Sequence, residues 1–175
     1  MTEKSESTGP GLLHVSLDGA EMAGLVEELT ARGASARFVA RGGSMSPWIR
    51  DGDVVTVTPV TPGGPAAPLR PGDVAAFRRP GSGSLTVHRL VRRSSGGWIA
   101  RGDRLAGEDG LVPDGDILGT VTKVERRGSE AYLPGGPAAV LLARLTRAAL
   151  VVRMRLGLAR GRGAGAGPGP GTAAP

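Results

Sequence analysis

The chain has 175 residues, which suits one domain with flanking segments. It has no cysteine and only two histidines, so disulfides, thiolate metal sites, cysteine nucleophiles and a histidine-rich metal site are excluded, and neither metal nor cofactor is expected. The net charge of +6 is gathered in one place: six arginines and no acid follow Glu130, while charges balance before it, so any affinity for an anionic surface belongs to the C-terminal part.

Residues 1–18 are polar and read as a disordered leader, with no apolar run of the kind that marks an export signal. Residues 19–32 predict a helix. Met22, Leu25, Val26 and Leu29 recur at i, i+3, i+4 and i+7 and form one apolar face, Asp18 can cap it and Gly33 can end it. From residue 36 the pattern changes to short runs rich in Val, Thr and Ile, at 37–41, 53–59, 73–78, 85–92, 98–101 and 117–125. Gly, Pro, Asp and Ser separate them, and the Pro- and Gly-rich stretch 61–71 predicts a surface loop. Residues 137–159 are helical in composition, with a stripe formed by Leu141, Leu145, Ala149, Val152 and Leu156. The best apolar stretch, 138–152, is broken by Arg144 and Arg147 and falls short of the roughly 18 residues a membrane span needs. Residues 161–175 are a Gly/Pro/Ala tail of low complexity. The expected fold is mainly β, of the α+β kind. A domain at 19–128, with its β core at 36–128, carries an N-terminal helix and is followed by a basic C-terminal helix at 129–160.

Three motifs contain residues able to do chemistry. In Gly42-Gly43-Ser44-Met45-Ser46-Pro47 a serine follows two glycines in a turn, where backbone N–H groups can approach a reacting carbonyl. Gly-Gly-Ser is also an ordinary turn sequence. In Thr86-Val87-His88-Arg89-Leu90 strand alternation puts Thr86, His88 and Leu90 on one face. Histidine is the side chain whose unperturbed pKa, about 6.5, suits a base at neutral pH, although strand histidines are commonly structural. His14 lies in the leader, away from the other candidates. The segment 101–110 supplies Asp103, Glu108 and Asp109 among glycines, a composition that also marks plain turns. A serine nucleophile needs a base and the base an orienting acceptor, and the order Ser, His, Asp is available here on successive β elements.

In combination the motifs are more specific. Ser-Met-x-Pro is followed by Arg-Asp-Gly-Asp-Val-Val, Leu-Arg-Pro-Gly-Asp-Val, Val-His-Arg, Arg-Gly-Asp with Glu-Asp, and Ile-Leu-Gly-Thr-Val. From about residue 38 to 124 this succession resembles the signal peptidase branch of the LexA/type I signal peptidase-like serine peptidases. The resemblance implies Ser44 as nucleophile and His88 as general base, in the branch that uses histidine where many bacterial relatives have lysine. It implies Asp109 as the triad acid and Asp103 as a supporting residue, with the aspartates at 53 and 73 structural. Gly42 stands where some relatives supply an oxyanion-hole hydroxyl, so stabilisation would rest on the backbone N–H groups of Gly43 and Ser44. The expected partner is an extended peptide or precursor protein with small residues before the cut bond.

Two other readings stay open at this point. One is an inactive member of the fold that binds peptides, suggested by Arg104-Leu105 where relatives often have small polar residues. The other is a self-cleaving LexA-like regulator, which would need a helix-turn-helix where residues 1–35 offer one clear helix. No motif for specific nucleic-acid binding is present. The expected location is the cytoplasm, with the C-terminal arginines able to meet an anionic membrane surface.

Overall fold

The computed structural model describes residues 18–60 and 68–162, so the leader, His14, most of the 61–71 loop and the end of the tail lie outside the described residues. Asp18 opens the first helix, α1 (Gly19–Ala31). Its carboxylate accepts from the backbone N–H groups of Ala20 and Glu21, both at 2.8 Å, and the Glu21 carboxylate accepts from Asp18 N–H at 2.9 Å. This reciprocal box satisfies N–H groups that a helix start leaves without partners. The helix buries Ala23, Val26 and Thr30, with Met22 and Leu29 partly buried beside them. Leu25, expected on the buried face, is 44% exposed. Ala23 and Thr30 extend the packed face on the side of Val26 away from Leu25, because successive residues turn by about 100°.

Eight antiparallel strands follow: β1 (Ala36–Val39), β2 (Val54–Thr58), β3 (Val74–Arg78), β4 (Leu85–Ser94), β5 (Gly97–Arg101), β6 (Leu111–Pro113), β7 (Ile117–Arg126) and β8 (Ser129–Glu130). They form one curled sheet in the order β1-β2-β7-β3-β4-β5-β6, with β8 turned back on β7. Register shifts interrupt the β2–β7, β3–β7 and β4–β5 ladders. Such irregularities bend and twist strands, which lets a sheet curl. The described residues are therefore mainly β, with two α-helices.

Two apolar clusters fill the fold. One contains Ala23 and Val26 of α1, Met45, Ile49, Val55, Val57, Val74 and Val124. The other contains Ala75, Phe77, Leu90, Trp98, Ala100 and Val112. Ala75 and Phe77 alternate with Val74 and Ala76 along β3, so this strand faces both clusters, as a strand buried on two sides must.

The β domain does not stop at residue 128. Ala131 N–H donates to Val124 O at 2.8 Å, Leu133 packs on the first cluster, and Pro134 O accepts from a buried arginine. The second helix, α2 (Gly136–Arg162), corrects the expected stripe. It buries the small residues Ala139 and Ala143, while Leu141, Leu145 and Val152 are 60%, 59% and 55% exposed. Alanine at the contact lets a helix backbone come close to its neighbour, so the large residues are left on the outer face. Among the described residues no helix is long and apolar enough to cross a membrane.

Candidate active site

The turn between β1 and β2 carries Ser44. Met45 and Ile49 are buried in the first cluster and fasten the turn to the body of the domain, and Ile49 N–H donates to Met45 O at 3.1 Å. Before the serine, Gly42 adopts φ 84°, a left-handed conformation that a side chain disfavours. Its N–H donates to the Asp51 carboxylate at 2.8 Å. The N–H groups of Gly43 and Ser44 donate to no protein acceptor among the described residues.

Asp51 belongs to a turn with its own anchor. The carboxylate of Asp53 accepts from Arg50 N–H at 2.8 Å and from two guanidinium N–H groups of Arg126 at 2.9 and 2.7 Å. The Arg126 hydrogen bonds hold the Asp53 carboxyl below its usual range, against the opposing effect of burial. At the next β turn Asp73 repeats the device, accepting from Arg70 N–H at 2.8 Å. Both acids act as turn braces, the structural part assigned to them from sequence.

His88 lies in the middle of β4 and is 2% exposed. Its neighbours on that face come from the second cluster, with the Phe77 ring 6.4 Å away, edge to face. Nε2 is 2.9 Å from Ser44 Oγ, and Nδ1 is 2.5 Å from Asp109 Oδ2. Ser44, His88 and Asp109 thus form one hydrogen-bonded chain across three segments distant in sequence. With Nδ1–H donating to the carboxylate, Nε2 carries a lone pair toward the hydroxyl, as a general base requires.

Asp109 reaches this place at the end of the loop after β5. Its own N–H donates to Ala100 O at 2.9 Å, which fixes the backbone to the end of β5. Its second oxygen accepts from Arg79 Nη2 at 3.2 Å, and Arg79 Nε donates to Thr86 Oγ1 at 3.2 Å. Arg79 was not among the expected site residues. It follows β3 directly, and only the β3–β4 hairpin brings it near Asp109.

The Asp103 carboxylate hydrogen-bonds to neither the serine nor the histidine. It receives Nε and Nη2 of Arg89 at 2.9 and 2.8 Å, a bidentate pair with both side chains 1% exposed. Arg89 Nη1 donates to Gly72 O and Pro134 O, both at 2.6 Å. Four bonds from the buried guanidinium therefore tie together the loop, the β3 turn and the approach to α2.

Gly102 shows a second requirement that the sequence left unspoken. A side-chain carbon there would lie 2.9 Å from Ser44 O, 3.0 Å from His88 Nε2 and 3.0 Å from Leu105 Cδ1. Any larger residue would push into the serine–histidine contact. The loop is also tied directly to the serine turn, since Arg104 N–H donates to Ser44 O at 2.8 Å.

A cleft of about 450 Å³ opens beside Ser44 and His88. Its lining includes Phe38, Val39 and Ala40 of the β1 segment, Leu85 and Val87 of β4, and Met22 of α1. The lining is apolar near a few polar groups, the usual character of a ligand site. Among the described residues β1 pairs with β2 alone, which leaves its other edge without a strand partner there, and β1 residues line the cleft. No group of acids and histidines able to hold a metal ion occurs among the described residues.

No protein-family model matches the chain, and a search of curated proteins gives no match.

Proposed function

We propose that the protein is a serine endopeptidase of the signal peptidase/LexA-like type, acting on an extended peptide or precursor protein. The observation that carries this reading is the unbroken Ser44–His88–Asp109 hydrogen-bond chain at the mouth of the apolar cleft. In the proposed reaction His88 Nε2 takes the proton of Ser44 Oγ as the oxygen attacks the substrate carbonyl. The proton passes to the leaving amine as the peptide bond breaks, and water then hydrolyses the acyl ester with His88 again as base. Asp109 holds the imidazole in the productive tautomer and stabilises its charged form. The N–H groups of Gly43 and Ser44 are the donors for the oxyanion.

The free edge of β1 supports a substrate docked as an added strand, with alternate side chains entering the cleft. Apolar walls at Phe38, Val39, Leu85 and Val87 favour small or apolar substrate residues there. Arg104 and Leu105, which prompted the inactive-member reading, leave the serine–histidine distance at 2.9 Å.

The test is cleavage of a library of extended peptides by the wild-type chain and by Ser44→Ala, read by mass spectrometry. Cleavage by wild type alone supports the proposal, and cut sites define the substrate. Equal cleavage by both proteins, or by neither while both are folded, refutes it.

A further inference from the structure

The Ser44 turn has a second depression beside it, of about 270 Å³, lined by Ser46, Pro47, Asp103, Arg104, Thr146 and Arg147. It shares no residue with the apolar cleft. Its charge is strongly unbalanced. Asp103 is neutralised by its bidentate bonds to Arg89. The other acids of the same loop are also engaged, Glu108 by Arg92 and Asp109 by His88 and Arg79. Arg104 and Arg144 form no ion pair among the described residues. Among the described residues Arg147 donates to main-chain oxygens alone, those of Leu105 at 3.0 Å and Ala106 at 3.4 Å.

The arginines also sense one another. Arg101 is pushed below its usual range first by burial and then by repulsion from Arg147 and Arg144. Arg104 reaches the serine turn, since a side-chain carbon on Gly43 would lie 3.7 Å from its Nη1. A planar guanidinium with free N–H donors beside a second one suits a carboxylate, which can accept two parallel bonds.

We infer that this depression is a carboxylate subsite, which selects substrates bearing an acidic group close to the bond presented to Ser44. The inference rests on the peptidase reading for its place in the reaction, but the binding it describes can be measured without cleavage. A side-chain carboxylate of Asp or Glu and the free C-terminal carboxylate of a short leaving peptide share the required chemistry.

The experiment titrates folded Ser44→Ala protein with a series of extended peptides. Each has Glu, Gln or Lys at one position in turn, made both as the free acid and as the C-terminal amide. At one position Glu should bind about tenfold more tightly than Gln, corresponding to about 1.4 kcal/mol, and Lys should bind more weakly than either. If only the free acids gain, whatever their side chains, the source is the terminal carboxylate. Arg104→Gln should remove most of the preference, and the Arg104→Gln/Arg147→Gln pair should abolish it. Arg104→Gln alone decides the matter if loss of Arg147 disturbs the loop, because the Arg104 side chain makes no hydrogen bond among the described residues. Equal binding of Glu and Lys peptides at every position, with no gain from a free terminus, overturns the inference, as does the absence of any binding. Selective binding by Ser44→Ala together with no cleavage by wild type would keep the subsite and refute the peptidase.

Discussion

Asp103 and Asp109 lie on one loop and meet consecutive residues of one strand, yet their surroundings differ in kind. Asp103 meets Arg89 where both side chains are buried, and two main-chain oxygens accept further bonds from the guanidinium. Asp109 meets His88 at the edge of the cleft, where its second oxygen is held by the partly exposed Arg79. A buried ion pair braced by further hydrogen bonds fixes position and is costly to break. A carboxylate bound to an imidazole that itself touches a hydroxyl can orient and stabilise a transient charge. The loop therefore uses one acid to hold itself down and the other to direct chemistry.

The sharpest way to break this contrast is to remove one carboxylate at a time. Asp109→Asn should lower kcat by about 10⁴-fold, the scale seen when a triad acid is replaced by its amide. Its thermal midpoint should stay within a few degrees of wild type. Asp103→Asn should do the reverse in thermodynamic terms. It leaves a buried guanidinium short of its charge partner and should cost about 3–5 kcal/mol in urea unfolding. If the Asp109 variant loses the stability and the Asp103 variant keeps it, the division of labour is wrong.

Arg79→Gln probes the line between the two roles. It removes one bond to Asp109 and leaves the Asp109–His88 contact in place, so kcat should fall by three- to tenfold, about 1 kcal/mol. KM and the urea midpoint should be little changed. A loss as large as that of Asp109→Asn would mean that Arg79 bears directly on the reacting atoms.

The smallest effect concerns Asp53, a third aspartate–arginine pair. Its folded pKa lies below the ordinary value because Arg126 hydrogen-bonds to the ionised form. A lowered folded pKa gives stability that is complete above the unfolded value, about 3.9, and lost as pH falls through the folded value. Wild type should lose unfolding free energy across that acid window, and Asp53→Asn should lose less over the same interval. Parallel curves for the two proteins would show that this carboxylate is not linked to folding.

The strand pattern of the domain was readable because its runs are rich in Val, Thr and Ile, most plainly in β2 and β7, and because Gly, Pro, Asp and Ser separate them. Leu111–Pro113 and Ser129–Glu130 escaped notice, being too short to show alternation. The small buried face of α2 escaped for a different reason. A periodic stripe of leucines signals a helix, but it does not say whether the sheet meets that stripe or the alanines behind it. The serine, histidine and aspartates could be picked out only in combination, because each alone fits an ordinary turn or strand and the resemblance of the whole succession of motifs implied their roles. Arg79, Arg89 and Gly102 could not. Their importance comes from the hairpin and the loop that place them, and an arginine or glycine in a β-rich sequence is unremarkable until its neighbours are known.

The adjacency of His88 and Arg89 has a consequence for quality control. Side chains at neighbouring positions on a strand point to opposite sides, so the ladder of β4 against β3 decides at once which of the two meets the serine. A chain that paired these strands one residue out of step would turn a guanidinium toward Ser44 and put an imidazole in the pocket made for Arg89. It would lose its reactivity and its internal salt bridge in the same event. Under the proposed function, a mispaired chain could not act as a stray protease, because the error that disarms it also leaves it prone to unfold.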